Sequence, residues 1–349
     1  MTKRICYIHI GPHKTGTTAI QSFLQGNRAE LLRQSYFVPE SGNVNGGHHP
    51  LARQLCGAEV PPQHRHAAGK FFEALAGASC EKIVISSEVL EALLRKKKYA
   101  HTFFNRIRDL NLEPKLVVFP RNQPQLMNSR YVEVVKGFQR SEPFEIFVSG
   151  EVHQTVFGYS DFIALATEFH AQLIARPFTG RLIAKSVVAD FIQAIGLDPS
   201  RFPNTETRRN QTAGPFTVSV ARDVSRSIAD SGRALTEIEA RRCKRKLTSY
   251  LQEKGLVDTG YCGLNNALAR QIEGVWRQDN DLFARQVWRK SWQEVFAKDE
   301  GVEFTPNDFD IVRPDERTQR QRHQAAREIT VSIEDIIANP GDSDHVTQV

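Results

Sequence analysis

The first part of the chain changes sharply from apolar to polar and then to an amphipathic pattern. Residues 5–10 are apolar almost throughout, which predicts a strand buried on both faces. Residues 11–18 are polar and include two glycines, and residues 19–33 carry apolar side chains at the spacing of one helix face. A buried strand joined to a helix by a glycine-bearing loop is typical of phosphate-binding turns.

The alternation of strand and helix continues over the first two hundred residues. Apolar runs at 82–87, 115–119 and 181–184 predict three more strands, and a helical pattern at 124–136 begins with proline in its first turn. Strands that alternate with helices favour a parallel sheet covered by helices on both faces. The predicted fold class is therefore α/β, a three-layer α/β/α arrangement around a central parallel sheet, with a helical C-terminal part.

The pattern changes after residue 198. Residues 199–215 are polar and contain proline, which indicates a connection, and the stretches 216–254 and 264–297 have helical periodicity throughout. The last residues are dense in Arg, Gln, Glu and Asp, with a helical pattern near 320–338. The predicted organisation is an α/β core at 1–198, a helical region packed on it at 199–312, and a charged, partly disordered tail at 313–349.

The composition of the 349-residue chain excludes a collagenous, disulfide-scaffold or largely disordered protein. Its five cysteines form no C-x-x-C pair, which favours reduced thiols. The apolar run after Lys3 and Arg4 is too short for a secretory signal, and no stretch is long enough to span a membrane. We therefore expect a cytoplasmic protein without an integral membrane segment. The net charge of +6 favours anionic partners without specifying which.

The loop between the first strand and the first helix has the glycine frame of a nucleotide-binding loop but not its lysine. Gly11 and Gly16 are separated by four residues, yet Thr17 follows Gly16, and the only lysine, Lys14, lies between the glycines. A Mg-triphosphate loop needs lysine after the second glycine, and it needs an acidic strand end elsewhere. The sequence therefore predicts a phosphate site that requires no metal.

At this point the sequence resembles the PAPS-dependent sulfotransferase superfamily, which has a fold like that of the P-loop NTPases. Residues 14–18, Lys-Thr-Gly-Thr-Thr, match its 5′-phosphosulfate loop, and the longer string at 9–21 is most similar to the bacterial branch that acts on carbohydrates. The resemblance implies that 3′-phosphoadenosine 5′-phosphosulfate (PAPS) is the co-substrate. It implies a donor-binding loop made of His13, Lys14, Thr15, Gly16, Thr17 and Thr18. In this scheme Lys14 also stabilises the bridging oxygen as the S–O bond breaks.

The resemblance also implies a binding site for the 3′-phosphate of the donor. Arg121 follows the third predicted strand, and Ser129 lies eight residues later on the following helix, the spacing of the family's phosphate-binding pair. A guanidinium offers a planar fork to a phosphate dianion, and a hydroxyl adds one donor. Taken without the loop, Arg121 is better explained as a strand-end residue that pairs with a surface carboxylate, and the presence of the loop favours the phosphate-binding role instead.

Transfer to a hydroxyl needs a proton acceptor, and two kinds of residue compete for that role. Glu88 follows the second predicted strand, at the sheet edge where ligands bind in open α/β folds. The resemblance gives a glutamate or a histidine this role, and Glu88 is otherwise an ordinary helix first-turn acid. His48 and His49 lie in a Gly-rich segment within 41–66, and His49 is the candidate base there; a loop pair that caps a helix or contacts substrate is the alternative.

Three hypotheses for function follow. The first is a sulfotransferase that moves a sulfuryl group from PAPS to a hydroxyl of a carbohydrate or glycoconjugate; it predicts no nucleic-acid partner and leaves a homo-oligomer open. The second is a P-loop nucleotide or small-molecule kinase, against which Thr17 argues. The third is a non-catalytic nucleotide- or polyanion-binding protein of the same fold. The basic run 241–246 is a candidate polyanion site, but its helical context favours a solvated helix face.

Overall fold

The protein is described by a computed structural model that covers residues 3–154, 157–180, 186–202, 212–297 and 303–338. The strand predicted at 181–184 and the part of the predicted tail after 338 lie outside these described residues. Within the described ranges, no helix combines the length and the apolar character that crossing a bilayer requires.

The sheet has five parallel strands in the order β2-β3-β1-β4-β5. The predicted α/β fold with a parallel sheet is therefore confirmed. Two strands, β2 and β5, were not predicted; they are short and lie at the two edges, where a strand needs little apolar sequence. The strands are β1 (Arg4–His9), β2 (Tyr36–Phe37), β3 (Lys82–Ser86), β4 (Leu112–Val118) and β5 (Gln172–Ala175).

Strand β1 lies at the centre of the sheet because both of its faces are apolar. Cys6 and Ile8 point into one hydrophobic cluster, and Tyr7 points into a second cluster on the other face. The strand pairs with β3 through Ile5 opposite Lys82, and with β4 through Tyr7 opposite Lys115. Side chains alternate between the faces of a strand, so a central strand with helices on both sides reads as a continuous apolar run.

The helices cover both faces of this sheet and continue through the C-terminal half. One predicted helix, 19–33, is in fact two, because Asn27 leaves the helical conformation and its side-chain amide donates to the carbonyl of Phe23. The helices are α1 (Thr17–Gly26), α2 (Arg28–Arg33), α3 (His49–Leu55), α4 (Ala67–Gly77), α5 (Val89–Leu94), α6 (Lys97–Asp109), α7 (Gln123–Lys136), α8 (Phe144–Glu151), α9 (Ser160–Glu168), α10 (Val187–Ala194), α11 (Pro215–Asp230), α12 (Glu237–Glu253), α13 (Asn266–Trp288), α14 (Trp292–Phe296) and α15 (Glu316–Ala338).

The chain divides into two compact units, and this division crosses the sequence-based boundaries. Unit 1 comprises Met1–Gln123, Gln154–Arg209 and Val275–Val302, and it contains the sheet. Unit 2 comprises Pro124–His153, Asn210–Gly274 and Glu303–Val349. All three tryptophans of the chain lie in the last segment of unit 1.

Unit 2 is built around α11 and α12, which both pack on α15. A buried ion pair lies inside it: the guanidinium of Arg222 donates through both terminal nitrogens to Asp308, at 2.9 and 2.6 Å, and neither side chain is exposed to solvent by more than 2%. The hydroxyl of Tyr261 also donates to Asp308. The basic run on α12 buries Cys243 and leaves most of its cations exposed, as expected for a solvated helix face.

Candidate functional site

The candidate site lies in unit 1, where the carboxyl ends of three adjacent strands meet. The loop 11–16 follows β1, Ser87 and Glu88 follow β3, and Arg121 follows the end of β4. Parallel strands bring these ends to one edge of the sheet, which is where open α/β folds bind ligands. The sheet topology therefore explains why residues more than a hundred positions apart in the chain lie together.

The loop after β1 is shaped by residues in the left-handed region. Gly11, Lys14 and Gly16 have φ angles of 94°, 66° and 82°. Lysine seldom adopts this conformation, so surrounding contacts must hold Lys14 in it. The hydroxyl of Thr15 donates to the carbonyl of Pro12 at 2.6 Å and closes the turn from inside. The side chain of Thr15 is thus committed to the loop, and its backbone amide is the group that remains for a ligand.

The first turn of α1 presents amide groups at the end of this loop. The amides of Ala19 and Ile20 donate to the carbonyl of Gly16, so Thr17 and Thr18 precede the first intrahelical hydrogen bonds. Amides at a helix N-terminus carry partial positive charge and bind anions. Thr18 is exposed and Thr17 is buried. The arrangement fits the phosphate-binding role that the sequence predicts for this loop.

Arg121 reaches back to the loop from the end of β4. Its guanidinium donates to the carbonyl of Lys14 at 2.7 Å and lies 5.4 Å from the ring centre of Phe178. The contact supports the left-handed conformation of Lys14 and brings a second cation to the same loop. Arg121 therefore contacts the loop directly through its side chain.

The backbone of Arg121 is fixed by Tyr159, a residue that the sequence analysis missed. The hydroxyl of Tyr159 accepts from the amide of Arg121 at 3.0 Å and donates to its carbonyl at 2.7 Å. Burial raises the pKa of Tyr159 well above its ordinary value, so the hydroxyl keeps the proton that it donates. The ring stacks on Trp292, whose indole donates to Asn122 at 2.8 Å. No local motif links these residues, because the partners are far apart in the chain.

Glu88 lies beside the loop, at the point where β3 turns into α5. A Cβ atom on Gly11 would lie 3.3 Å from the Cβ of Glu88, so the glycine permits this close approach. The side chain of Glu88 is 16% exposed, and its Oε2 accepts from the amide of Gln21 at 2.5 Å. Gln21 belongs to the string that carries the family resemblance, but the sequence alone gave it no role.

His49 faces the other carboxylate oxygen of Glu88. Its Nε2 lies 3.7 Å from Glu88 Oε1, and its Nδ1 lies 2.9 Å from the hydroxyl oxygen of Ser87. A Cβ on Gly47 would collide with the His49 ring, so the glycine before the histidine pair is needed for this placement. The two candidate bases, Glu88 and His49, therefore form one pair.

His48 has a structural position instead. It is fully buried, its Nδ1 accepts from the amide of Ser86 at 3.0 Å, and its Nε2 donates to the carbonyl of Pro39 at 2.9 Å. The bond that Nδ1 accepts requires the neutral ring, and burial lowers the pKa of His48 to about 4. The residue anchors the 41–66 segment to the end of β3 and so carries its neighbour His49 to Glu88.

Two further buried groups support the site from behind. His9, at the end of β1, contacts the Ser86 hydroxyl oxygen through Nδ1 at 2.8 Å, and burial lowers its pKa to about 4. Glu91, one turn after Glu88, accepts from the backbone amide of His13 at 3.3 Å. This contact makes His13 a part of the loop's support through its backbone.

The predicted pair of Arg121 and Ser129 is divided between the two units. Arg121 belongs to unit 1, whereas Ser129 lies on α7 within the Pro124–His153 segment of unit 2. Their joint binding of a 3′-phosphate stays a prediction. Among the residues that the structure describes, no group of three or more His, Cys, Asp or Glu could hold a metal ion.

Comparisons of the chain with the known protein families, with curated proteins and with solved structures found no match.

Proposed function

We propose that the protein is a PAPS-dependent sulfotransferase that transfers a sulfuryl group to a hydroxyl of a carbohydrate or glycoconjugate. The observation that carries this proposal is the arrangement around the loop after β1. Three features lie together at one edge of the sheet. They are a lysine between two glycines, an arginine that donates a hydrogen bond to the carbonyl of that lysine, and a Glu–His pair.

The loop has the chemistry that an anionic donor needs. Lys14 and Arg121 supply two positive charges. The backbone amides at the start of α1 supply hydrogen-bond donors that carry no formal charge. Glu88 stands beside the loop and not within it, and its carboxylate accepts a hydrogen bond from Gln21. These residues fit a phosphosulfate group. We infer a carbohydrate as the acceptor from the family resemblance of residues 9–21.

The proposed reaction assigns one task to each of three groups. Glu88 takes the proton of the acceptor hydroxyl while that oxygen attacks sulfur in line with the bond that breaks. A new O–S bond forms, and the bond between sulfur and the 5′-phosphate oxygen breaks, so that this oxygen keeps the electron pair. Lys14 offsets the negative charge that develops there, and the amides of Thr17 and Thr18 hold the phosphate in place.

A ligand-stability experiment tests the donor class. The purified protein is titrated with adenosine 3′,5′-bisphosphate and, separately, with ATP and Mg²⁺, while unfolding is followed by tryptophan fluorescence, which reports unit 1. We expect the bisphosphate to raise the free energy of unfolding by about 2.7 kcal/mol at 100 times its Kd. Stabilisation by ATP and Mg²⁺ alone would favour the kinase hypothesis and reject this one.

Substitutions then separate binding from transfer. Lys14→Ala should abolish transfer from ³⁵S-labelled PAPS to a carbohydrate acceptor, whereas Lys70→Ala, an exposed lysine on α4, is the matched control and should change nothing. The non-catalytic hypothesis would instead be supported if the protein bound the bisphosphate but transferred a sulfuryl group to no hydroxyl. In that case Glu88→Ala would bind the bisphosphate as well as the unchanged protein does.

A further inference from the structure

Gln21 has an unusual position for a glutamine on an amphipathic helix. It is 3% exposed, although its neighbours on the buried face of α1 are the apolar residues Ile20 and Leu24. Its side-chain amide is directed out of the apolar core and donates to Oε2 of Glu88 at 2.5 Å. A buried amide is costly unless it is hydrogen-bonded, and a bond to a carboxylate is among the stronger ones.

Two consecutive glycines make room for this contact. A Cβ on Gly46 would lie 3.2 Å from the backbone of Gln21, and a Cβ on Gly47 would lie 3.0 Å from its Nε2. Gly46 also has a φ angle of 88°, which side chains rarely adopt. The segment that carries His49 therefore closes directly over Gln21. The glutamine, the histidine and the carboxylate are held as one packed group.

We propose that Gln21 is a positioning residue that holds one oxygen of Glu88, so that the other oxygen, beside His49, receives the proton of the acceptor hydroxyl. The inference deepens the proposed function and depends on it for its catalytic meaning. The contact itself can be tested without any activity.

The proposal follows from the two sides of the carboxylate. Oε2 already accepts a short hydrogen bond, so its lone pairs are less available, whereas Oε1 is 3.7 Å from His49 Nε2. The proton that leaves the acceptor hydroxyl therefore goes to Oε1 as the new O–S bond forms. His49 from α3 and His9 from β1 are titratable groups that face Glu88.

The perturbation is Gln21→Leu, which keeps a similar volume and removes the donor. The matched control is Gln25→Leu, the same substitution one turn later at an exposed position. Without the amide, the carboxylate loses the hydrogen bond that fixes its orientation, so Oε1 is no longer held toward the acceptor hydroxyl. We expect kcat for transfer to fall about tenfold in Gln21→Leu and to be unchanged in Gln25→Leu. The KM for PAPS should change less than twofold.

A second measurement needs no turnover. In the ¹⁵N–¹H NMR spectrum, one side-chain amide proton of Gln21 should be shifted downfield of the Gln25 amides, because it is bonded to a carboxylate. The signal is assigned by its loss in Gln21→Leu. In Glu88→Ala the signal should move upfield, to the position of an amide that is not bonded to a carboxylate. This variant keeps the buried side chain of Gln21 in place.

The outcomes separate the two proposals. A shifted Gln21 signal that responds to Glu88→Ala, with no transfer in any assay, would keep the contact and reject the sulfotransferase. Transfer with an unchanged kcat in Gln21→Leu would reject the positioning role, as would a Gln21 amide signal that does not change in Glu88→Ala.

Discussion

The buried ion pair of unit 2 allows a quantitative prediction. In Asp308→Asn the shape is nearly unchanged, but the guanidinium of Arg222, which has no exposure to solvent, loses its bidentate carboxylate. Breaking a buried pair from one side typically costs about 3–5 kcal/mol. Asp310 still lies 3.1 Å from the guanidinium, so we expect the lower end, about 3 kcal/mol of unfolding free energy.

Asp310→Asn is the matched control for this prediction. Asp310 contacts the same guanidinium but is 29% exposed, and an ion pair open to solvent contributes only about 0–1 kcal/mol. The two substituted residues are two positions apart on one short segment. They make the same change in net charge, so a general electrostatic effect would be equal in both.

The assay must report unit 2, and tryptophan fluorescence does not, because all three tryptophans lie in unit 1. Amide hydrogen exchange read by mass spectrometry on peptides from α11, which carries Arg222, measures the local opening directly. In Asp308→Asn these peptides should exchange roughly a hundredfold faster than in Asp310→Asn. Equal exchange in the two variants would refute the reasoning that the buried carboxylate holds this unit together.

Three further predictions concern unit 1. Gly16→Ala should cost about 1–3 kcal/mol of stability and weaken binding of adenosine 3′,5′-bisphosphate, because the residue is left-handed and its Cβ would lie 2.7 Å from a neighbouring valine; denaturant titration and calorimetry measure both effects. His9 and His48 are buried and neutral, and their pKa values are lowered to about 4, so the unfolded state binds more protons. The stability measured by fluorescence should be complete above about pH 6.5 and should fall between about pH 6.5 and pH 4. A flat profile would contradict the burial of the two histidines. Tyr159→Phe removes both hydrogen bonds to the backbone of Arg121 and should raise the Kd of the bisphosphate about tenfold, whereas an unchanged Kd would show that Arg121 needs no such support.

The central strand and its loop could be predicted from the sequence because the signal is local. The apolar run 5–10 is followed directly by the loop that holds the two glycines and Lys14. β1 lies within one residue of its predicted bounds, and α1 begins two residues before its predicted start. The edge strands β2 and β5 were missed because a short edge strand has few apolar residues. The break at Asn27 was missed because apolar periodicity continues across it.

The sequence names candidate residues for this site, but it does not show the contacts between them. Glu88 and His49 were competing candidates for the base, and only the fold shows that they face each other at 3.7 Å. The support of Arg121 by Tyr159 depends on residues that approach through tertiary structure, for which a single sequence has no periodic signal. A binding motif made of consecutive residues can be recognised in a single sequence. The residues that support such a motif through tertiary contacts cannot.

The central position of β1 has a consequence for how the chain is made. β1 is synthesised before the two strands that flank it, and Arg4 pairs with Leu112, so one of these strands is made 108 residues later. At about 5–20 residues per second, the ribosome needs roughly 5–22 s to produce that partner. During this time an apolar strand with at least one open edge is exposed to other chains. We expect the nascent protein to depend on chaperones more than its compact final core suggests.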